Sequence, residues 1–96
     1  MTKSYFKPSN TLTFETVTEQ RSQFLTLLES APSSTIHCDL TDVRTCDSAG
    51  LAFLIDAKRL CCTQNTNLLI EHVSVDILAL AKLYGIEKIL DNEEEA

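Results

Sequence analysis

The fold is decided by residues 39–51, which read DLTDVRTCDSAGL. Residues 35–40 (TIHCDL), which lead into this stretch, predict a strand in the middle of a sheet, and that strand ends in acidic side chains. Residues 42–47 are then predicted to form a loop. The longest predicted helix begins at Ser48 and extends to about residue 62, with apolar residues at helical spacing.

The Asp-Ser-Ala-Gly sequence at the start of this helix carries the most functional information. Ser48 can accept a hydrogen bond from a free backbone N–H of the first helical turn, and Asp47 lies where the helix dipole favours negative charge. Gly50 leaves the first turn without a side chain, so another protein could approach the backbone closely. Capping alone would also explain a serine here, and this structural interpretation stays open beside the functional one.

Two strands and a helix are predicted before this region. Residues 4–7 and 11–14 (TLTF) read as strands, and the turn signal Pro8-Ser9-Asn10 between them predicts an antiparallel pair. Residues 16–19 (TVTE) fit a capping box. This box opens a helix that ends at about residue 30, before a proline and two serines.

The chain after the long helix continues the alternation of strands and helices. A polar turn at residues 64–67 is followed by a strand at 68–71 and a third helix at 75–84. Gly85 is placed like a helix C-cap, where a positive φ is often needed. Residues 86–90 are predicted to add a last short strand.

Strands that alternate with helices indicate crossover connections and a largely parallel sheet. We therefore expect an α/β fold, a mixed β-sheet with about three to four helices packed against it. Residues 1–90 are expected to form this single domain, and the acidic residues 91–96 a disordered, dispensable tail.

Helical spacing also predicts the face that each helix buries. The residues expected in the core are Gln20, Phe24, Leu27, Leu28 and Ala31 of the first helix, Leu51, Leu54, Ile55 and Cys62 of the second, and Ile77, Leu80, Ala81 and Tyr84 of the third.

Composition excludes several classes of partner. The net charge of −6 and the pI of about 4.7 disfavour direct contact with nucleic acid or anionic lipid. No stretch approaches the roughly 20 apolar residues of a membrane span, and the N-terminus lacks the apolar part of a secretory signal. We expect a cytoplasmic protein, monomeric in isolation, that reaches a membrane only through a partner.

Catalytic and metal chemistry are not indicated by the motifs. The cysteines at positions 38, 46, 61 and 62 form no C-x-x-C pair and are interpreted as small, partly buried side chains. His37 and His72 are interpreted as structural. Because neither a G-x-S-x-G elbow nor a phosphate-binding loop is present, we expect no enzyme, no cofactor and no metal site.

Residues 39–54, DLTDVRTCDSAGLAFL, resemble the signature of STAS domains, which include anti-sigma factor antagonists and the cytoplasmic ends of sulfate transporters. The resemblance covers nearly the whole chain. Residues 80–86 (LAKLYGI) resemble the L-A-x-L-Y-x-[LI] segment of the MlaB-like branch of this family, the STAS subunits of the Mla phospholipid transporters of Gram-negative bacteria.

The resemblance implies a non-catalytic subunit that binds and supports the cytoplasmic ATPase (MlaF-like) of a phospholipid-transporting ABC complex with a permease. It implies a protein peripheral to the inner membrane through this partner, in a system that maintains outer-membrane lipid asymmetry. The partner-binding residues carried over are Asp47, Ser48, Ala49, Gly50 and Leu51.

The alternative is an anti-sigma factor antagonist that is switched by phosphorylation of Ser48. Ala49 and Gly50 stand where MlaB-like proteins often have two glycines, which brings the turn closer to the D-S-S-G of antagonists. Residues 15–18 (ETVT) lack the G-x-[LI]-D segment that antagonists usually show, and this departure favours the ATPase-binding function.

Overall fold

The computed structural model describes residues 4–30 and 35–90. The elements in chain order are β1 (Ser4–Phe6), β2 (Thr11–Leu12), α1 (Val17–Ser30), β3 (Thr35–Asp39), β4 (Thr45–Cys46), α2 (Ser48–Thr63), β5 (Asn67–Glu71), α3 (Val75–Leu83) and a 3₁₀ helix (Glu87–Leu90). The predicted acidic tail lies outside the described residues. None of the helices in these two ranges is long and apolar enough to cross a bilayer.

The strands form two separate parallel ladders. One has the order β1-β3-β5, with β3 in the centre as predicted, and aligns Phe6 with Cys38 and Cys38 with Ile70. The other pairs β2 with β4. The predicted antiparallel pairing of the first two strands is therefore wrong, and with it the expected mixed character of the sheet.

The segment between β1 and β2 explains this difference. It does not reverse the chain as a hairpin would but carries it from one ladder to the other. The carbonyl of Asn10 accepts hydrogen bonds from the backbone N–H groups of Arg44 and Thr45, at 2.7 and 3.2 Å. Arg44 precedes β4 and Thr45 begins it, so residues 42–47 contain a short strand where the sequence predicts only a loop.

The core lies between one face of the β1-β3-β5 sheet and the helices. Burial alternates along β3 and β5, as expected when one sheet face is covered. Phe24 of α1 meets Phe6 and Phe53 edge-on, with ring centroids 5.3 and 6.1 Å apart. This aromatic cluster joins α1, α2 and the sheet.

The predicted helix faces are correct in part. Gln20, Phe24 and Leu28 are buried, as are Leu51, Leu54, Ile77 and Ala81, whereas Leu27, Ile55 and Leu80 are half-buried; Ala31 lies outside the described residues. Two positions are wrong. Cys62 is exposed and Cys61 is buried in its place, because Cys61 and not Cys62 continues the spacing of Leu54 and Ala57. Tyr84 is 55% exposed, since α3 ends before it.

The end of α3 follows the glycine prediction but not the strand prediction. Gly85 has a φ of +69°, and its N–H bonds to the carbonyl of Lys82 at 3.0 Å. The N–H of Ile86 bonds to the carbonyl of Ala81 at 2.9 Å, which completes a Schellman motif. The chain then turns into the 3₁₀ helix, so the predicted strand at 86–90 is wrong.

Two chemically reactive side chains of β3, those of His37 and Cys38, have structural roles. His37 Nδ1 lies 2.7 Å from Glu71 Oε2, which confirms a structural histidine, and Tyr5 stacks on its ring at 4.9 Å. Burial, followed by the nearby charge of Asp39, raises the pKa of the Cys38 thiol to about 12. Cys38 is therefore a protonated core residue at neutral pH.

Leu54 and Leu80, both placed in the core by the sequence, should differ in their contribution to stability. Leu54→Ala is expected to lower the free energy of unfolding by about 2–5 kcal/mol, because Leu54 is fully buried. Leu80→Ala should cost only about 1–2 kcal/mol, since Leu80 is half-buried. Urea unfolding of both variants measures the difference, and equal midpoints would show that the assignment of the core is wrong.

Candidate functional site

The start of α2 is fixed by the carboxylate of Asp47. The backbone of Asp47 is extended, with φ −119° and ψ −170°, and its Oδ1 accepts a hydrogen bond from the N–H of Gly50 at 3.0 Å. Asp47 is therefore the N-cap, and the predicted capping by Ser48 is wrong. Aspartate and serine both cap helices well, but only Asp47 has the non-helical backbone that a cap requires. Ser48 is the first helical residue, and it is exposed.

The second carboxylate oxygen of Asp47 holds a neighbouring segment. Oδ2 accepts a hydrogen bond from the N–H of Phe14 at 3.2 Å, and the Asp47 N–H bonds to the carbonyl of Leu12 at 3.4 Å. One side chain thus ties the first turn of α2 to the chain that follows β2. These two hydrogen bonds of the Asp47 carboxylate fix the position of the turn relative to the rest of the domain.

Two substitutions separate the functions of this carboxylate. Asp47→Ala removes both hydrogen bonds and should lower the free energy of unfolding by about 1–2 kcal/mol. Asp47→Asn keeps an oxygen for the Gly50 N–H but loses the acceptor for Phe14, so it should cost about half as much. Urea unfolding tests this order, and an asparagine variant as unstable as the alanine variant would contradict it.

Gly50 and Leu51 lie inside the domain. Leu51 is buried, and so is the backbone of Gly50. A Cβ atom built on Gly50 would lie 2.1 Å from the Leu12 carbonyl oxygen and 2.8 Å from the Cys46 Sγ. Because Gly50 has no Cβ, the chain's own strands β2 and β4 pack closely against α2. The glycine therefore does not leave an open surface for a partner. Of the predicted partner-binding residues, these two can act only by supporting the turn.

The outward part of the site consists of Ser48, Ala49 and a residue that the sequence does not reveal, Phe14. Its side chain is 70% exposed, beside the N–H that Asp47 holds. The alternation in TLTF places Leu12 and Phe14 on one face. The strand ends at Leu12, however, because the Thr13 carbonyl accepts from the N–H groups of Thr16 and Val17 at 2.9 Å, and Phe14 turns outward.

This local turn also replaces the predicted capping box. The Thr16 hydroxyl does not face into α1 but donates to the carbonyl of Thr11 at 2.7 Å and accepts from the N–H of Thr13 at 3.1 Å. The side chain therefore closes the turn between β2 and α1. The Thr16 hydroxyl and the Asp47 carboxylate together fix the backbone around Phe14.

A shallow groove of about 360 Å³ runs between α1 and α2 next to this turn. Its lining residues are Val17, Thr18, Arg21, Ala49, Ala52, Phe53 and Asp56. Most of the lining is apolar, and an ion pair from the Arg21 Nε to the Asp56 Oδ2 crosses from one helix to the other. Ala49 belongs both to the groove and to the exposed turn, so the two surfaces are continuous.

The titratable side chains of Cys46, Asp39 and Asp42 interact with neighbouring residues. Burial, with a smaller effect from the charge of Asp47, raises the pKa of the Cys46 thiol to about 11, so this thiol is protonated at neutral pH. Hydrogen bonds from Thr41 lower the pKa of Asp39, and Asp42 pairs with Lys7 at 3.5 Å. Within residues 4–30 and 35–90, no group of three or more His, Cys, Asp or Glu side chains could hold a metal ion.

Comparisons with known proteins agree with this architecture. Residues 9–91 match the family model described as "Mlab, STAS domain". Among solved structures, the chain is similar to a sulfate transporter family protein from Wolinella succinogenes, at 16% identity and a TM-score of 0.71 over 92% of this chain and 70% of that one. At this identity the likeness shows the fold alone, and it confirms the STAS-like α/β expectation. The comparison with curated proteins gave no match.

Proposed function

Because the chain belongs to the STAS domain family, whose members are generally non-catalytic regulatory domains, we propose that it is an accessory subunit of a phospholipid-transporting ABC complex. It binds and supports the cytoplasmic ATPase of that complex, which is MlaF-like and works with a permease. The site that binds the ATPase is the docking turn, defined as Phe14, Asp47, Ser48 and Ala49. No catalysis, cofactor or nucleic acid is involved.

The observation that carries this proposal is the construction of the docking turn. Two small side chains, the exposed Ser48 and the half-buried Ala49, form the turn, and an exposed Phe14 lies beside them. The Asp47 carboxylate holds both segments through the N–H groups of Gly50 and Phe14. An exposed aromatic residue on a preorganised backbone is typical of protein interfaces, since little conformational entropy is lost on binding.

The particular partner is supported by two sequence features. The family model carries the Mlab description, and residues 80–86 resemble the MlaB-like segment. In this chain that segment forms the end of α3 and the Schellman motif around Gly85. In this proposal the protein is a monomer on its own, stays in the cytoplasm and reaches the inner membrane through its partner. The system it serves maintains outer-membrane lipid asymmetry.

Purification of the tagged chain from its native host, at natural expression level, tests the proposal. We expect mass spectrometry to identify an ABC ATPase and its permease in stoichiometric amounts. A host strain that carries Ser48→Arg serves as control, and both proteins should be lost from its eluate. Recovery of an anti-sigma kinase without the ATPase would overturn the proposal.

The exposure of Ser48 favours one second function, an anti-sigma factor antagonist switched by phosphorylation of this residue. Because Asp47 caps α2, the Ser48 hydroxyl is not needed as the cap and stands at the surface. Phosphorylation would add about −1.5 to −2 charges and a bulky group at the turn, and this group would block the close approach of a partner. Intact-mass measurement of the protein from its native host distinguishes the functions, because only the switch requires a phosphorylated form.

A further inference from the structure

The groove between α1 and α2 leaves an apolar surface that residues 4–30 and 35–90 do not cover. Ala49 and Ala52 lie three residues apart and therefore on one face of α2, and Val17 of α1 faces them across the groove, with Phe53 also in the lining. The small alanine side chains let another chain come close to the α2 backbone. The groove begins at Ala49, so a partner seated on the docking turn reaches it directly.

The two ends of the groove differ in charge. At one end the Arg21 guanidinium is already paired with Asp56, so the two charges compensate each other. At the other end, the exposed Glu15 directly follows Phe14, whose N–H donates to the Asp47 carboxylate, so two acidic residues lie next to this end of the groove. The ion pairs found in the described ranges (4–30 and 35–90) join other residues. The end next to the docking turn is thus acidic, in a chain whose net charge is −6.

We propose that this groove receives one basic, apolar segment of the ATPase that docks on the turn. The segment inserts an apolar side chain between Val17 and Ala52 and places a lysine or arginine beside Glu15. This inference rests on the proposed function and specifies the chemistry of the partner at the same site. The apolar contact supplies affinity, and the charge at the rim supplies orientation and a faster association.

The apolar part of the proposal is tested with arginine substitutions on both walls. Ala52→Arg and Thr18→Arg fill the groove from α2 and from α1, and both positions are exposed, so the fold should be retained. Binding to the purified MlaF-type ATPase from the same genome should weaken at least about tenfold for each. Cys62→Arg is the matched control, an exposed position at the far end of the same helix, and should bind normally.

The charged part is tested by reversing one charge. Glu15→Lys should weaken binding roughly two- to fivefold and reduce its dependence on salt. Glu29→Lys makes the same change at the other end of α1 and should have no effect. Tighter binding by Glu15→Lys would overturn the assignment of a basic segment.

The outcomes separate this inference from the proposed function. In one outcome, the unchanged protein binds the ATPase, Ser48→Arg abolishes this binding, and both groove variants bind normally. This outcome would show that the partner contacts the docking turn but not the groove. If the unchanged protein does not bind the ATPase at all, then the proposed function fails, and the inference fails with it. Circular dichroism of each variant ensures that lost binding reflects the surface and not the fold.

Discussion

Gly50→Ala is expected to prevent folding or to lower the free energy of unfolding by at least about 3 kcal/mol. The added Cβ would lie 2.1 Å from the Leu12 carbonyl oxygen, a backbone atom that also accepts the Asp47 N–H. To relieve the clash, α2 would have to move away from β2 and β4. Helix propensity alone predicts the opposite sign, a gain of about 1 kcal/mol for alanine in a helix.

Gly85→Ala is the matched control for this prediction. Nothing lies within 4 Å of its added Cβ, but its φ is +69°, so the substitution should cost only about 1–2 kcal/mol through the left-handed backbone. Urea unfolding of both variants gives the comparison. A Gly50→Ala protein that is as stable as the unchanged chain would mean that the packing of α2 on the two short strands is wrong.

Ser48→Arg is expected to abolish binding to the ATPase, with a loss of affinity on the order of 100-fold or more. A long charged side chain at the centre of the docking turn prevents close approach and must lose its hydration on binding. The fold should be retained, because Ser48 is exposed and Asp47 provides the cap. A positive charge at a helix N-terminus should lower stability by at most about 1 kcal/mol.

Ser48→Ala and Cys62→Arg serve as controls for this variant. The first keeps a small side chain and should retain most of the binding, whereas the second places the same arginine at the other end of α2. Circular dichroism reports the fold, and titration calorimetry with the purified ATPase reports affinity. Full binding by Ser48→Arg would locate the interface elsewhere on the protein.

The sequence was sufficient to predict the elements whose signals are local. The extent of α2, the C-cap at Gly85 and the central position of β3 follow from capping residues, a glycine and a run of β-formers. The sequence predicts the start of α2 correctly but assigns the cap to Ser48, whereas Asp47 is the cap. Asp47 and Ser48 are both good caps, and only the backbone conformation distinguishes them.

Long-range contacts account for most of what could not be predicted. β4 has only two residues, too few for periodicity to show a strand. Its pairing with β2 joins distant parts of the chain, and the adjacent Phe14–Asp47 hydrogen bond spans 33 residues. The exposure of Phe14 depends on the same turn. Gly50 was visible in the sequence, but the Leu12 carbonyl that packs against it was not.

Site-specific photo-crosslinking in the native host shows which protein contacts the docking turn. Phe14→benzoylphenylalanine places the probe at the docking turn and keeps an exposed aromatic side chain there. Tyr5, which is 53% exposed on β1, takes the same probe as control. We expect irradiation to join the chain to the ABC ATPase from position 14 and not from position 5. Crosslinks to an anti-sigma kinase from position 14, or to the ATPase from position 5 alone, would contradict this expectation.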